Sequence, residues 1–301
     1  MANSNPTDSI RALLTEIIDY AGLFPPSALS MSEAAANYAA YKKSKYSWML
    51  GRFVVPVSRL DEFLESAKEF LPFDEDNRWR LSVLASEDID ETIRKIGDFN
   101  NANAASAVCD ALEVKAETSS RIETIAEIVP PDLTAYFEIP IGKDLGDLVS
   151  TLAIYKQRAK IRTGGVTVDA FPKIETIVRF MRTCLAANVP FKATAGLHHP
   201  LRCFNPLTYK KDAPEGMMNG FLNVFLAVGL IQQGYNSNLI IELLNDEKVD
   251  NFLFDDGGIL WRQEHFISTA QLRRLREKNI ISFGSCSFDE PIFDLQEIEL
   301  L

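Results

Sequence analysis

The run Phe191-Lys192-Ala193-Thr194-Ala195-Gly196-Leu197-His198-His199-Pro200 gathers chemistry that the rest of the chain spreads out. A lysine sits inside an apolar strand pattern, the strand breaks at a glycine, and two of the three histidines follow in the loop. A lysine amine is a nucleophile when neutral and an anion anchor when protonated. Lys160 and Arg162 stand in a neighbouring strand pattern, and like-charge repulsion with partial desolvation favours the neutral form of Lys192. Its role stays open between a Schiff base with a carbonyl substrate, a general base, and a cation that holds a carboxylate or phosphate. Pro200 biases His199 to an extended backbone. Adjacent histidines seldom point to one place, so one of His198 and His199 is expected to carry protons near neutral pH and the other to pack.

Other apolar runs also end in polar residues. Glu113 and Lys115, Tyr136 and Glu138, Lys160 and Arg162, and Lys192 and Thr194 are each two residues apart. In a strand that spacing puts each pair on one face. The intervening residues are mostly apolar, Phe137 and Ile161 among them. The charged faces are therefore expected to line an interior, where unpaired charges are costly. This points to a mixed-sign network around a substrate, with a structural ion network as the alternative. Lys192, Glu138, His198 and His199 are the candidate catalytic residues. Arg162, Lys160, Glu113, Lys115, Thr194, Gly164, Gly165, Asp255 and Ser285 are the candidate substrate contacts. Gly164-Gly165 and Gly257-Gly258 each follow a strand pattern, where glycines let backbone N–H groups approach an anion or simply make turns. A metal site would need Glu138, Asp255 or Asp256 to join the histidines, and no HExxH-like spacing supports one, so neither metal nor cofactor is expected. His265, in Trp261-Arg262-Gln263-Glu264-His265-Phe266, reads as structural.

These residues need a scaffold that alternates strand and helix. Strands are expected at 51–56, 79–84, 106–115, 133–139, 159–163, 189–195, 249–254 and 280–284. Helical patterns fill the intervals, including an apolar one at 217–233 and another at 237–244. Apolar residues from Ile10 to Ile18 keep helical spacing, which predicts a helix over 9–20. Ser30-Met31-Ser32-Glu33 has capping-box spacing before a second helix that runs through Tyr41. Eight short strands alternating with helices predict a single-domain α/β (β/α)₈ TIM-like barrel. Residues 1–47 would form a helical lead-in and 48–301 the β/α repeats. An open doubly wound sheet would show a glycine-rich fingerprint after the first strand. Val57-Ser58-Arg59 stands there instead.

Composition limits the partners. With 301 residues, 47% hydrophobic and 24% charged, the chain is globular in type. A net charge of −11 argues against a nucleic-acid partner but leaves room for a local cluster that binds a small anionic metabolite. Cys109, Cys184, Cys203 and Cys286 are too scattered for a zinc or redox motif and read as reduced, mostly buried thiols. The start, MANSNPTDSI, has no signal-peptide pattern, and no apolar run is long enough for a membrane span, so the cytoplasm is the default compartment. The apolar stretch Phe221 to Val228 is either core or a contact in a homo-oligomer.

The segment Phe191-Lys192-Ala193-Thr194-Ala195-Gly196 resembles the strand-six signature of deoxyribose-phosphate-type class I aldolases. The resemblance implies a (β/α)₈ barrel that makes or breaks a carbon–carbon bond without metal, with a Schiff-base lysine at Lys192. It also implies a second, acid–base lysine on strand seven in a lysine–proline–glycine context, where this chain has Phe254-Asp255-Asp256-Gly257-Gly258. Taken together, the residues point to a metal-independent barrel enzyme of lyase/aldolase or isomerase type that acts on a small anionic carbonyl compound. A metal-assisted hydrolase or isomerase built on the histidine pair is the first alternative. A non-catalytic small-molecule binding protein is the second.

Overall fold

The computed structural model describes residues 6–301, so the first five residues of the run read for a leader lie outside the described residues. Strands β1 (Ile18–Tyr20), β2 (Leu50–Pro56), β3 (Trp79–Leu84), β4 (Ala107–Lys115), β5 (Thr134–Glu138), β6 (Arg158–Arg162) and β7 (Phe191–Thr194) form most of a parallel barrel. β8 (Cys203–Pro206) and β9 (Glu215–Met218) make a hairpin, and β10 (Phe252–Phe254), β11 (Gly258–Trp261) and β12 (His265–Ser268) make an antiparallel sheet. β13 (Ile280–Ser285) then pairs with β7 and β1 and closes the barrel. The (β/α)₈ expectation therefore holds.

The helices are α1 (Asp8–Leu14), α2 (Met31–Lys43), α3 (Leu60–Ala67), α4 (Ile89–Asn103), α5 (Ser119–Ile128), α6 (Leu145–Ile154), α7 (Ile174–Ala186), α8 (Phe221–Gln232), α9 (Ser237–Leu244), α10 (Thr269–Lys278) and α11 (Asp289–Glu297). Local chemistry sets several of their ends. Ser30 accepts from the Glu33 backbone N–H while the Glu33 carboxylate accepts from Ser30, the capping box that the sequence predicts. Outward-facing strand residues pack against the helices, as Phe53 and Trp79 do with Tyr38 of α2 and Phe63 of α3 in one buried aromatic cluster.

Two strand assignments read from the sequence are corrected, and the errors offset each other in the count. The helix expected over 9–20 ends at Leu14; Glu16 takes a left-handed φ of 49°, and Ile18–Tyr20 becomes a barrel strand. The apolar residues of this segment fit helical spacing, but the break at Thr15-Glu16 carries no glycine or proline to announce it. The barrel thus begins inside the segment read as a helical lead-in. Conversely, the strand expected over 249–254 is not in the barrel. Asp255 Oδ1 accepts from the Gly257 and Gly258 backbone N–H groups at 2.8 and 2.9 Å, and the chain folds back as a hairpin. Asp-Gly and Gly-Gly are hairpin signals that compete with a strand-to-helix reading.

Helix α8 is buried from Phe221 to Ile231. It packs against α9, α7, α10, β12 and β13. Its apolar faces are covered within the chain, so it is core and supplies no subunit contact. His265 is buried against Trp261 and Tyr235, the structural role expected of it. The four cysteines are free, and three of them are buried. Among the described residues, no helix is long and apolar enough to cross a membrane.

Candidate active site

Period-two alternation turns the even-numbered residues of β6 and β7 inward, and those of β5 likewise. A bulge in β4, where Leu81 pairs with Cys109 but Ser82 pairs with Ala111, changes the phase of that strand. Asp110 and Glu113, three residues apart, thereby both reach the interior network. Simple alternation would have placed them on opposite faces.

The interior charges form one alternating chain. Lys192 Nζ donates to Asp19 Oδ2 and to Glu113 Oε1, each at 2.6 Å. Lys160 Nζ lies 2.7 Å from Glu113 Oε2 and 2.8 Å from Glu138 Oε2. Arg162 Nε reaches Glu138 Oε1 at 3.4 Å. Ser282 and Ser82 donate to Asp19 and Glu113 at 2.7 Å each, and the Arg52 backbone N–H donates to Asp19 Oδ1 at 2.9 Å. Asp19, Glu113, Lys160 and Lys192 are all buried.

This corrects the expectation of a neutral Lys192. Burial pushes its amine toward neutrality, but the charges of Asp19 and Glu113 outweigh burial and hold its pKa above the ordinary lysine value. Glu113 shows the converse. Burial favours its protonated form, yet Lys160 and Lys192 drive its pKa well below the usual carboxylate range. Glu138 is also held low, with burial opposed mainly by Lys160 and then by Arg162.

The network opens at the carboxyl ends of the strands into a cavity of about 400 Å³. The buried Glu113 and Lys160 lie at its base, and Arg162, Thr194, Gly164, Gly165, Gly196, His198 and Cys286 also line it. Phe24, Pro25 and Pro26, between β1 and α2, add an apolar wall. A second cavity, of about 730 Å³, shares Leu84, Glu113, Lys160 and Arg162 with the first and adds Glu138, Lys115 and Arg121. Lys192 lines neither cavity and sits beneath them. Ser285 is buried, accepts from the Ser287 backbone N–H and lines neither. Asp255, in the hairpin turn outside the barrel, is likewise absent from both linings.

Both histidines meet α11, and only His198 lines the mouth cavity. His198 Nδ1 lies 2.9 Å from Glu290 Oε2, with the imidazole on the cavity wall. His199 Nδ1 lies 2.5 Å from Asp294 Oδ2, and its Nε2 is 3.1 Å from Asn205 Nδ2. Tyr209 donates to Glu290 at 3.0 Å, tying the β8–β9 connection to the same carboxylate. Glu290, Asp294 and Ser82 are partners that the strand-end pattern does not announce, and Asp19, beside the loop at 22–26, joins them from the segment expected to be helical. Glu290 and Asp294 are four residues apart on one helix, which is the signal that matches a pair of adjacent histidines. Among the described residues, no group of three or more His, Cys, Asp or Glu side chains is placed to hold a metal ion.

The two glycine pairs also divide. A Cβ on Gly164 would lie 2.5 Å from the Phe171 ring and 2.9 Å from Gly196 Cα. Gly196 has φ of +73° and meets Gly164 as closely from the other side. Gly164 therefore serves close approach between two loops as well as lining the cavity.

Including Ile18–Tyr20 changes the strand numbering. Lys160 lies on the sixth barrel strand in chain order and Lys192 on the seventh, side by side in register. The FKATAG-type motif is thus on the seventh strand, and the lysine that lines the cavity is on the sixth. No protein-family model matches the chain, and no curated protein matches its sequence.

Proposed function

We propose that the chain is a metal-independent barrel enzyme of lyase or isomerase type that moves a proton next to the carbonyl of a small anionic substrate. The observation that carries this reading is Lys160, an amine held between Glu113 and Glu138 at the base of a cavity that Arg162 and His198 also line. Arg162 is half exposed and makes one long contact to Glu138, so most of its guanidinium donors remain for a substrate carboxylate or phosphate. The Lys160 amine, bridged between Glu113 and Glu138, presents a positive charge to a carbonyl oxygen that becomes an enolate. Glu290 orients His198 through Nδ1, which leaves Nε2 to take the α-proton. The C–H electron pair then forms the enolate double bond. Return of the proton at a different carbon is isomerisation, and expulsion of a group from the β-carbon is lyase chemistry. Lys192 carries no bond to substrate in this scheme; it fixes Glu113 and, through it, Lys160.

A second reading keeps the aldolase resemblance and makes the chemistry covalent. It is favoured by the two lysines side by side on the sixth and seventh strands, with Lys160 rather than Lys192 in reach of a carbonyl. One experiment separates the two. The protein is incubated in D₂O with a panel of 2-oxo acids and phosphorylated aldehydes and ketones, and α-proton exchange is followed by NMR. A parallel sample is reduced with borohydride and weighed intact. The first reading expects exchange with at least one compound, a loss of about 100-fold or more in His198→Gln and Lys160→Met, and no reduced adduct. An adduct abolished by Lys160→Met but kept in Lys192→Met establishes the second reading. Exchange that persists unchanged in both His198→Gln and Lys160→Met overturns the first.

A further inference from the structure

The amino-terminal end of the barrel holds a second cavity system, of about 560 Å³, walled by the first residues of β2, β3, β5, β6 and β13. Its charge is unlike that of the chain as a whole, which is −11. Arg11, Arg52, Arg80, Arg158, Arg273 and Arg276 all line it, against Glu16 and Glu277. Asp110 enters as a partner from behind, where Arg52 clasps it through Nε and Nη2 at 2.6 and 2.9 Å and Arg80 Nε donates to it at 2.8 Å. Arg80 also reaches Glu16 at 2.9 Å. The carboxylates present are thus taken up by Arg52 and Arg80, apart from Glu277, which makes no ion pair within 4.0 Å among the described residues.

Three of the four remaining arginines are held in place by groups that carry no negative charge, and the fourth, Arg273, is exposed. Arg158 Nη1 donates to the Tyr136 hydroxyl at 3.0 Å. Arg11 lies over the Trp48 ring, 4.4 Å from its centroid. Arg276 donates to the backbone carbonyls of Leu13, Thr15, Ile280 and Ile281, which fix the guanidinium without neutralising it. Burial without a counter-charge pulls the pKa of Arg276 down to about 10, only partly offset by the distant Asp19 and Glu16. Arg276 thus adds uncompensated charge to the cavity while its own donors are largely taken by carbonyls, and the donors that face a ligand are those of Arg158, Arg11 and Arg273.

We infer that this cavity is an anion site, separate from the one at the barrel mouth, and that it takes a small molecule with two or more phosphoryl charges. Planar guanidinium groups match phosphate oxygens in paired hydrogen bonds, and even a guanidinium pulled down to about 10 is charged at neutral pH. The cavity volume falls in the range of small-ligand sites. The inference does not depend on the reaction proposed for the mouth.

The test is calorimetric titration of the full chain with inorganic pyrophosphate, orthophosphate and a hexose bisphosphate at constant ionic strength. The expected result is saturable binding of pyrophosphate or the bisphosphate at least tenfold tighter than that of orthophosphate. Arg273→Gln, an exposed and unpaired position, and Arg158→Gln should each weaken binding by about tenfold, the equivalent of one charge-assisted contact, while Arg162→Gln at the mouth leaves it unchanged. Preference between the two diphosphorylated probes identifies free pyrophosphate or an ester as the ligand type. No saturable binding of any probe overturns the inference. So does binding that Arg162→Gln abolishes and Arg158→Gln and Arg273→Gln leave intact.

Discussion

The two ends of the barrel interior are built from the same strands with opposite electrostatic logic. At the mouth, Asp19, Glu113 and Glu138 match Lys192, Lys160 and Arg162 one for one in an alternating chain. At the floor, arginines outnumber the carboxylates beside them. Strand β6 contributes to both, with Arg158 at its start and Lys160 and Arg162 at its end. The mouth pairs compact ammonium groups with carboxylates, and the floor gathers planar guanidinium groups suited to phosphate oxygens. A balanced network is suited to moving a proton without changing the net charge of the site. An unbalanced one is suited to holding an anion.

The largest effect that separates the two ends is on stability. Lys192→Met removes the cation between Asp19 and Glu113 and leaves both carboxylates buried without it. Breaking a buried pair from one side costs about 3–5 kcal/mol. Urea unfolding at pH 7 should show that loss, and the double variant Lys192→Met with Asp19→Asn should recover part of it. Arg158→Met at the floor removes one contact to Tyr136 and relieves repulsion among neighbouring arginines, so a change of about 1 kcal/mol or less is expected. Equal losses from Lys192→Met and Arg158→Met would erase the distinction between a balanced and an unbalanced layer.

The sequence discloses the mouth more fully than the floor, for physical reasons. In-phase pairs such as Lys160 and Arg162 or Tyr136 and Glu138 announce inward charged faces, because alternation within a strand is a local property. Asp19 and Asp110 are harder to place. Asp19 lies on a three-residue strand that continues the apolar spacing of a helix. Asp110 reaches the interior through a bulge that no residue type marks. The protonation of Lys192 was beyond local reading. Lys160 and Arg162 are near it in pattern, but the groups touching its amine, Asp19 and Glu113, come from 173 and 79 residues away. The hairpin at Asp255-Asp256-Gly257-Gly258 was legible, since its turn chemistry is local; an expected strand count obscured it.

A smaller effect tests how the mouth is framed. Gly164→Ala drives a methyl into Phe171 and the Gly196 backbone. Overpacking of this kind costs about 1–3 kcal/mol, and because both loops line the mouth cavity, substrate-dependent exchange should fall with the stability. Pyrophosphate binding at the floor should stay as in the parent protein. A Gly164→Ala protein that unfolds at the parent's denaturant midpoint would mean that the two loops separate freely and do not frame the site.

The smallest effect is a pH dependence of the α11 contacts beside the mouth. His199 is packed against Asp294, and His198 against Glu290, along one face of α11. Burial pulls the His199 pKa down, but the hydrogen bond and charge of Asp294 outweigh burial and raise it above the ordinary histidine value. A raised folded-state pKa means that stability from this contact is complete below the unfolded value of about 6.5 and is lost as pH rises through the folded value. Glu290 behaves in the opposite sense. Burial raises its pKa, the His198 contact more than offsets this, and its contribution is present above the usual glutamate value of about 4.3 and lost as pH falls through the depressed one. The α11 clasp is therefore tightest between about pH 4.3 and 6.5. Denaturant midpoints taken from pH 6 to 9 should fall across the His199 transition, and His199→Gln should remove that slope while leaving the His198 side of the clasp in place. An unaltered slope in His199→Gln would assign the titration to another group. At the floor even Arg276, pulled down to about 10, stays mostly protonated over this span, so pyrophosphate binding there should vary mainly as the phosphate itself changes charge.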